Sequence, residues 1–140
     1  MKKRLAVSLL SLTVLLSCLV VPASATVQRA SLALSNYYVT CAPGSNSGEI
    51  VFTYDLLANN LATRIGISSI AINERSGDYV TTIFGSTSNR LIATSTMRHR
   101  GNYPFRGTPG VSYYASVTIF ASNPDGSDYK TVQTGFVTAP

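Results

Sequence analysis

The chain has few of the residues that carry out catalysis or hold cofactors. Its 140 residues include one histidine, two cysteines and no tryptophan. Nucleophilic catalysis needs a base beside the nucleophile and a third group that orients that base, and no segment of the sequence supplies such a set. The Cys/His spacing of a metal site and the glycine-rich loop of a phosphate site are both missing. We therefore expect no enzyme activity, no cofactor and no metal site.

Charge is scarce as well, and it falls further once the first residues are set aside. Charged residues make up 12% of the chain, and the formal net charge is +5. Three of the eleven basic residues occupy positions 2–4, so residues 26–140 carry eight basic residues against six acidic ones, a net charge of +2. A nearly neutral domain gives no reason to expect a nucleic-acid partner.

The first 25 residues have the pattern of a secretory signal peptide. A basic start is followed by a mostly apolar run that ends at Val21, and two small residues, Ala23 and Ala25, stand where a signal peptidase inspects the chain. We expect cleavage after Ala25. This divides the chain into a signal peptide (1–25) and a secreted domain (26–140) without a stable membrane span.

Two other outcomes remain open for the N-terminus, and they bear on the cysteines. The apolar run could stay uncleaved as an anchor, although it is short for a span of about 20 apolar residues. The segment Leu-Leu-Ser-Cys that ends at Cys18 is similar to a bacterial lipobox, so Cys18 is an alternative site of lipid attachment. Cleavage after Ala25 would leave Cys41 either as a buried free thiol or as a partner in an intermolecular disulfide. The sequence leaves the oligomeric state open.

Residues 26–140 are typical of one all-β domain. β-Branched residues and tyrosines dominate their apolar set, which favours strands, and no segment keeps an apolar face at helical spacing over three turns. Short alternating runs separated by turn formers are typical of a sandwich or barrel. We expect a single antiparallel β-sandwich of about 7–8 strands.

The alternation also places the strands. A stretch at 58–66 is expected to be an irregular connection, anchored by Leu61 and Ile65, and a short edge strand is expected around Pro104, which cannot donate to a ladder. The expected strands cover residues 30–41, 49–56, 67–74, 79–84, 91–99, 102–106, 111–122 and 129–138.

Residues 103–113, Tyr-Pro-Phe-Arg-Gly-Thr-Pro-Gly-Val-Ser-Tyr, resemble the E–F corner of fibronectin type III modules. There a Pro-Gly bend precedes a tyrosine at the start of the next strand. The resemblance implies an immunoglobulin/fibronectin type III-like sandwich, with Tyr113 as a corner tyrosine whose hydroxyl bonds to backbone upstream. The chain departs from this pattern at Gly107, where a core leucine is usual. The resemblance also implies four inward residues in the next strand: Ala115, Val117, Ile119 and Ala121.

Most of residues 26–140 is also similar to an uncharacterised family of small secreted bacterial proteins. The shared features are a signal peptide, an isoleucine-rich central strand, an Arg/His-Gly-aromatic segment and the corner Gly-Thr-Pro-Gly-x-x-Tyr-Tyr at 107–114. This family has no assigned function. The resemblance therefore implies secretion and a sandwich, and it carries no chemistry to the chain.

One segment is a candidate binding site. Residues 98–106 contain three arginines, a histidine and two aromatic residues. Arginine binds carboxylate or phosphate through two parallel hydrogen bonds, and aromatic rings can stack on sugars. The alternative is a solvated edge hairpin whose arginines oppose strand aggregation, with Tyr103 and Phe105 packed in the core. The candidate ligand-binding residues are Arg98, His99, Arg100, Tyr103 and Arg106.

A second candidate is the outward face of the strand at 111–122, where Tyr114 and Phe120 flank two hydroxyl residues and could form an apolar patch. An overlying segment could equally cover them. The leading prediction of function is a secreted, non-enzymatic binding module for an unknown protein or an extracellular polymer such as a cell-wall polymer or glycan. The alternatives are a structural, self-associating exported protein and a small hydrolase.

Overall fold

The computed structural model describes residues 33–140. The signal peptide, its cleavage after Ala25 and the alternative anchor at Cys18 lie outside the described residues and stay predictions. Within 33–140, no helix is long and apolar enough to cross a membrane. The described chain forms seven antiparallel strands: β1 (Leu34–Pro43), β2 (Glu49–Glu74), β3 (Tyr79–Phe84), β4 (Ile92–Arg106), β5 (Ser112–Asn123), β6 (Gly126–Gln133) and β7 (Val137–Thr138).

The long strand β2 organises the fold because it belongs to two layers. Its residues 49–57 pair with β1 on one side and with the second half of β4 on the other, which makes the first layer. Its residues 62–74 pair with β5 and with β3 and the start of β4, and β6 extends this second layer beyond β5. The register with β4 shifts between Leu57 and Ala62, where the strand passes from one layer to the other. The all-β, sandwich-like fold expected from the sequence is confirmed.

Alternation along the strands builds the core between the layers. Successive side chains of a strand point to opposite faces, so the regular apolar positions of β2 and β5 meet inside. In β5 the four residues expected to point inward are all fully buried, as predicted. The largest fully buried side chains are Phe52, Ile50, Leu56, Ile65, Ile67, Ile70, Ile72, Leu91, Ile119 and Val117.

The prediction of an irregular connection at 58–66 is wrong, because these residues continue β2. Turn-forming Asn59 and Asn60 lie at the passage between layers, where they are exposed but still in strand conformation. Of the two expected anchors, Ile65 is fully buried, whereas Leu61 is 62% exposed. The bend of β2 between the two layers thus contains residues typical of a loop, although its backbone stays extended.

The separate strands expected at 91–99 and 102–106 are also wrong, because β4 runs through both. Gly101 lies at the point where the sequence suggested a break. A Cβ on Gly101 would lie 2.7 Å from the hydroxyl oxygen of Tyr54, so this glycine lets the Tyr54 side chain pass beneath β4. Gly101 is thus a packing position inside a continuous strand, where it makes room for the Tyr54 ring, and it does not form a turn.

The corner before β5 agrees with the sequence prediction. The Thr108 N–H donates to the hydroxyl oxygen of Tyr113 at 2.9 Å, and Tyr113 is buried. A Cβ on Gly107 would lie 2.7 Å from the Tyr113 ring. The ring therefore occupies the space that a side chain at position 107 would need, which explains the glycine where the fibronectin pattern has leucine.

Candidate binding face on β1, β2 and β4

The outer surface of the first layer carries the arginines that the sequence singled out. Alternation along β4 points Arg98, Arg100 and Arg106 away from the core and His99 and Tyr103 towards it. We call the outward side chains of β1, of residues 49–57 of β2 and of residues 98–106 of β4 the arginine face. The five predicted ligand-binding residues thus divide between two sides of one strand.

Arg98 is held in place by a carboxylate from the neighbouring strand. Its Nε donates to Asp55 Oδ1 at 2.8 Å, and its Nη2 donates to Asp55 Oδ2. These bonds lower the pKa of the Asp55 carboxyl and raise that of Arg98. A two-bond pair of this kind fixes the plane of the guanidinium, so Arg98 and Asp55 present a rigid donor and acceptor side by side.

Arg100 lies directly opposite Asp55 in the β2–β4 register. Its charge contributes to lowering the pKa of Asp55, but Asp55 hydrogen-bonds to Arg98 instead. The guanidinium of Arg100 has no hydrogen-bond partner among residues 33–140. Its N–H donors are therefore available to a ligand.

Arg106 lies opposite Glu49 in the same register. The Glu49 carboxylate accepts hydrogen bonds from the backbone of Ser45 and Asn46 and from the Asn46 side chain, at 3.0 to 3.2 Å. Hydrogen bonds from Asn46 are the main reason that the pKa of Glu49 is lowered, and Arg106 adds a smaller electrostatic contribution. Arg106 thus faces an ionised carboxylate, which makes it a weaker candidate than Arg100.

The arginine face contains two shallow depressions rather than an enclosed cavity. They have volumes of about 360 and 510 Å³, and both are bordered by Tyr38 and Asp55. The Tyr38 side chain is 59% exposed. One depression extends past Arg98, and the other extends past Arg100 to Asn102. The face thus combines an exposed ring, a carboxylate, an amide and two guanidiniums.

His99 lies on the inner side of β4 and is engaged in the packing. Its Nε2 lies 2.9 Å from the carbonyl oxygen of Arg90 and 3.2 Å from the hydroxyl of Tyr54, and the Tyr54 hydroxyl donates to the same carbonyl at 2.8 Å. A carbonyl oxygen only accepts, so Nε2 carries a proton. Burial lowers the pKa of His99, partly offset by the bond to Arg90. The contact makes His99 a donor that ties β4 to the loop before it, and burial disfavours the charged form of its ring.

Tyr103 also faces inward, where it packs half-buried against the core. Its neighbour Phe105 meets the Tyr113 ring edge-on with centroids 6.0 Å apart. Both aromatic rings of the segment therefore contribute to the packing between the layers and do not line the arginine face.

Two residues of the arginine face were missed from the sequence. Tyr38 belongs to β1 and Asp55 to β2, and each lies far along the chain from residues 98–106. The only local signal was that both stand at outward positions of alternating strands. Which strands become neighbours is a property of the topology, so the composition of the segment did not contain them.

The second candidate surface, on β5, is largely covered. Phe120 is 4% exposed, because Tyr129 stacks on it at 5.6 Å and the Arg64 guanidinium lies 5.7 Å from its ring centroid. Tyr114 meets Phe136 edge-on, with centroids 5.4 Å apart. Phe120 is covered from neighbouring strands, and Tyr114 is covered by Phe136 of the loop between β6 and β7, in line with the alternative of a covering loop.

Cys41 is half-buried on β1, and its thiol donates to the carbonyl oxygen of Gly135 at 3.2 Å. Burial raises its pKa, against a smaller lowering contribution from Thr134. A thiol in this state is a poor nucleophile. Among the described residues, no group of three or more His, Cys, Asp or Glu side chains is arranged to hold a metal ion.

Comparison with known proteins gives structural neighbours only. No family model and no curated protein matches the chain. A family 76 glycoside hydrolase from a bovine Bacteroides thetaiotaomicron strain is 19% identical, with a TM-score of 0.42 over 73% of this chain and 20% of that chain. A Parabacteroides merdae β-glucuronidase with glycerol in its active site is 10% identical, with a TM-score of 0.41 over 73% and 13%. The chain spans a fifth or less of these enzymes, and similarity at this level carries no function to it.

Proposed function

We propose that this protein is a secreted, non-enzymatic binding module that recognises an extracellular glycan bearing carboxylate groups. The arginine face is its binding surface. The observation that carries the proposal is the guanidinium of Arg100, which has no hydrogen-bond partner among residues 33–140, beside the fixed Arg98–Asp55 pair and the exposed ring of Tyr38.

The chemistry of this face fits an acidic sugar polymer. Sugar hydroxyls both donate and accept hydrogen bonds, and the Arg98–Asp55 pair offers one group of each kind with fixed orientation. Arg100 can take a carboxylate of the ligand in the planar two-bond geometry. The Tyr38 ring offers an apolar surface with a polar end. A shallow, open face suits a polymer, since a chain can enter and leave at both ends.

The carboxylates and the histidine favour binding over hydrolysis. Glycoside hydrolysis uses two carboxyl groups, one of which stays protonated to act as an acid because its pKa is raised. The pKa values of Asp55 and Glu49 are lowered instead. His99 donates its Nε2 proton to the Arg90 carbonyl, so that nitrogen has no lone pair for a general base.

The test is binding to a polymer with and without its carboxylates. Polygalacturonate is the probe, and its fully methyl-esterified form is the neutral match. We expect Arg100→Ala to weaken binding to polygalacturonate about tenfold, because a charge-assisted pair is lost, with an unchanged melting temperature. Affinity electrophoresis or titration calorimetry measures the dissociation constants for the acidic and the esterified polymer.

The matched control is Arg75→Ala, which removes one exposed arginine from the second layer, where its guanidinium lies 5.3 Å from the Phe136 ring centroid. It should bind polygalacturonate as the unaltered protein does. Equal binding of the acidic and esterified polymers would contradict the proposal, and so would equal losses in the Arg100→Ala and Arg75→Ala variants.

A further inference from the structure

Strand β3 forms an edge of the second layer. It pairs with β2, and β2 pairs on its other side with β5. Among residues 33–140, no strand pairs with the outer side of β3. Its sequence, Tyr-Val-Thr-Thr-Ile-Phe, contains no charge, proline or glycine, and Tyr79 and Phe84 at its ends are 65% and 74% exposed.

Two other exposed edges, those of β4 and β6, carry features that prevent strand pairing. Charged side chains and proline are the usual protection of an edge strand. The outer edge of β4 has three arginines and Pro104, and β6 carries Asp128 and Lys130. Strand β3 lacks both kinds of protection. An uncharged six-residue strand of high β-propensity is the kind of segment that pairs with another strand.

The middle of β3 has backbone groups that no partner among residues 33–140 occupies. The Gly85 N–H donates to the Ser68 carbonyl at 2.9 Å, and antiparallel ladders alternate, so Thr81 and Ile83 point their backbone groups at β2. Thr82 and Phe84 point theirs outward. The Phe84 carbonyl accepts from Asn89 Nδ2 at 2.8 Å. Among residues 33–140, Thr82 has no partner for its outward N–H and C=O groups.

We propose that β3 pairs antiparallel with β3 of a second copy of this chain, with Thr82 at the centre. A two-fold axis perpendicular to the sheet keeps the same face outward in both copies. Directly opposed residues then come from the same face, so the central residue pairs with its own counterpart. Centring on Thr82 gives two reciprocal backbone hydrogen bonds between the copies.

The side chains of this register fit one another. Thr82 lies opposite Thr82 of the second copy, Phe84 opposite Val80, and Thr81 opposite Ile83. Threonine pairs, aromatic–β-branched pairs and apolar neighbours are favourable across strands, and no like charges meet. The same residues supply both halves of the contact, which is why a second copy is the partner that this strand fits. The four strands β3, β2, β5 and β6 would continue into those of the second copy.

Opposite charges at the centre of this register provide the test. Thr82→Lys and Thr82→Glu each place like charges directly opposite each other in a homodimer, and each should weaken dimerisation several-fold. A one-to-one mixture of the two variants should regain a dimer, because the introduced ammonium of one copy then meets the introduced carboxylate of the other. Analytical ultracentrifugation of the protein with a reductant, which excludes disulfides through Cys41, measures the dissociation constants.

The matched control is Gln133→Lys, which adds the same charge to the exposed edge strand β6 of the same layer. It should dimerise like the unaltered protein. A protein that stays monomeric up to about 1 mM would overturn the proposal. A mixture of the two Thr82 variants that associates no better than either variant alone would overturn it as well. That is also the result expected if β3 binds an extended segment of another protein instead of a second copy.

Amide exchange on the unaltered protein gives a second test that needs no variant. The Thr82 amide should exchange more slowly as protein concentration rises, because dimerisation gives it an acceptor. A Thr82 exchange rate that is independent of concentration, while the protein sediments as a dimer, would place the interface elsewhere and overturn the proposal.

Discussion

Two edge strands of this protein, β3 and the 98–106 stretch of β4, have the same backbone situation and opposite side chains. Each pairs with β2 and has no strand on its outer side among residues 33–140. The β4 edge presents arginines at alternate positions and a proline, whereas β3 presents threonines and apolar residues. Since unpaired edges are templates for pairing, the side chains decide what each edge can accept. The charged side chains of β4 keep this edge solvated and suit it to a polar ligand. Strand β3 has no charged side chains, which suits its edge to pairing with another strand.

The largest effect should come from making the β4 edge resemble β3. The variant Arg98→Thr, Arg100→Thr, Pro104→Val removes two outward charges and restores a backbone donor. We expect the protein to aggregate as its concentration rises, because a second edge with most of its charge removed allows chains to join at both ends without closing into a dimer. Light scattering and sedimentation of the soluble fraction measure this.

A control for that variant is Arg64→Thr, Arg75→Thr, which removes the same number of charges from the second layer, where both guanidiniums lie over phenylalanine rings. It should stay soluble at concentrations where the β4 variant aggregates. If both variants remain equally soluble, the arginines of β4 do not protect its edge.

The contrast between the edges shows what local sequence can and cannot predict. The alternation of β5 and the corner at Tyr113 were predicted and are confirmed, because each depends on neighbouring residues alone. The continuity of β2 through Asn59 and Asn60 was missed, since a bend between layers uses the same residues as a turn. The pairing of Arg98 with Asp55 joins residues 43 positions apart. No pattern within a segment contains such a contact. Nor does the sequence of β3 by itself show that the outer side of this strand has no neighbour among residues 33–140.

A smaller effect should follow from filling the space at Gly101. A Cβ there would lie 2.7 Å from the Tyr54 hydroxyl, so Gly101→Ala must displace the Tyr54 ring or the β4 backbone. We expect the free energy of unfolding to fall by about 1–3 kcal/mol, as is common for overpacked sites. The inner side of the β4 edge would loosen, while β3, which pairs with a different part of β2, would keep its protection from amide exchange. Urea unfolding measures the change in the free energy of unfolding, and amide exchange measures the local loosening of β4 relative to β3.

Gly135→Ala is the matched control for this substitution, because nothing lies within 4 Å of a Cβ built on Gly135. It should change stability little. Equal losses in the Gly101→Ala and Gly135→Ala variants would mean that the Tyr54 contact is not what Gly101 provides.

The smallest predicted effect is a pH dependence confined to the β4 edge. Burial lowers the pKa of His99 below its ordinary value of 6.5, so the unfolded chain takes up this proton at a higher pH than the folded chain does. The stabilisation is complete above about pH 6.5 and is lost as the pH falls through 6.5 towards the lower folded value. Asp55 and Glu49, whose pKa values are lowered, stay ionised in this window.

Acid should therefore weaken the β4 edge before it affects β3. Between about pH 7.5 and 5.5 we expect the free energy of unfolding to decrease and the amides around His99 to exchange faster relative to those of β3, after correction for intrinsic rates. His99→Gln can keep a donor near the Arg90 carbonyl without titrating, so it should flatten the slope. A slope that survives in this variant would assign the pH dependence to another group. Loss of protection in both strands together would show that the two edges open as one unit and would remove the distinction between them.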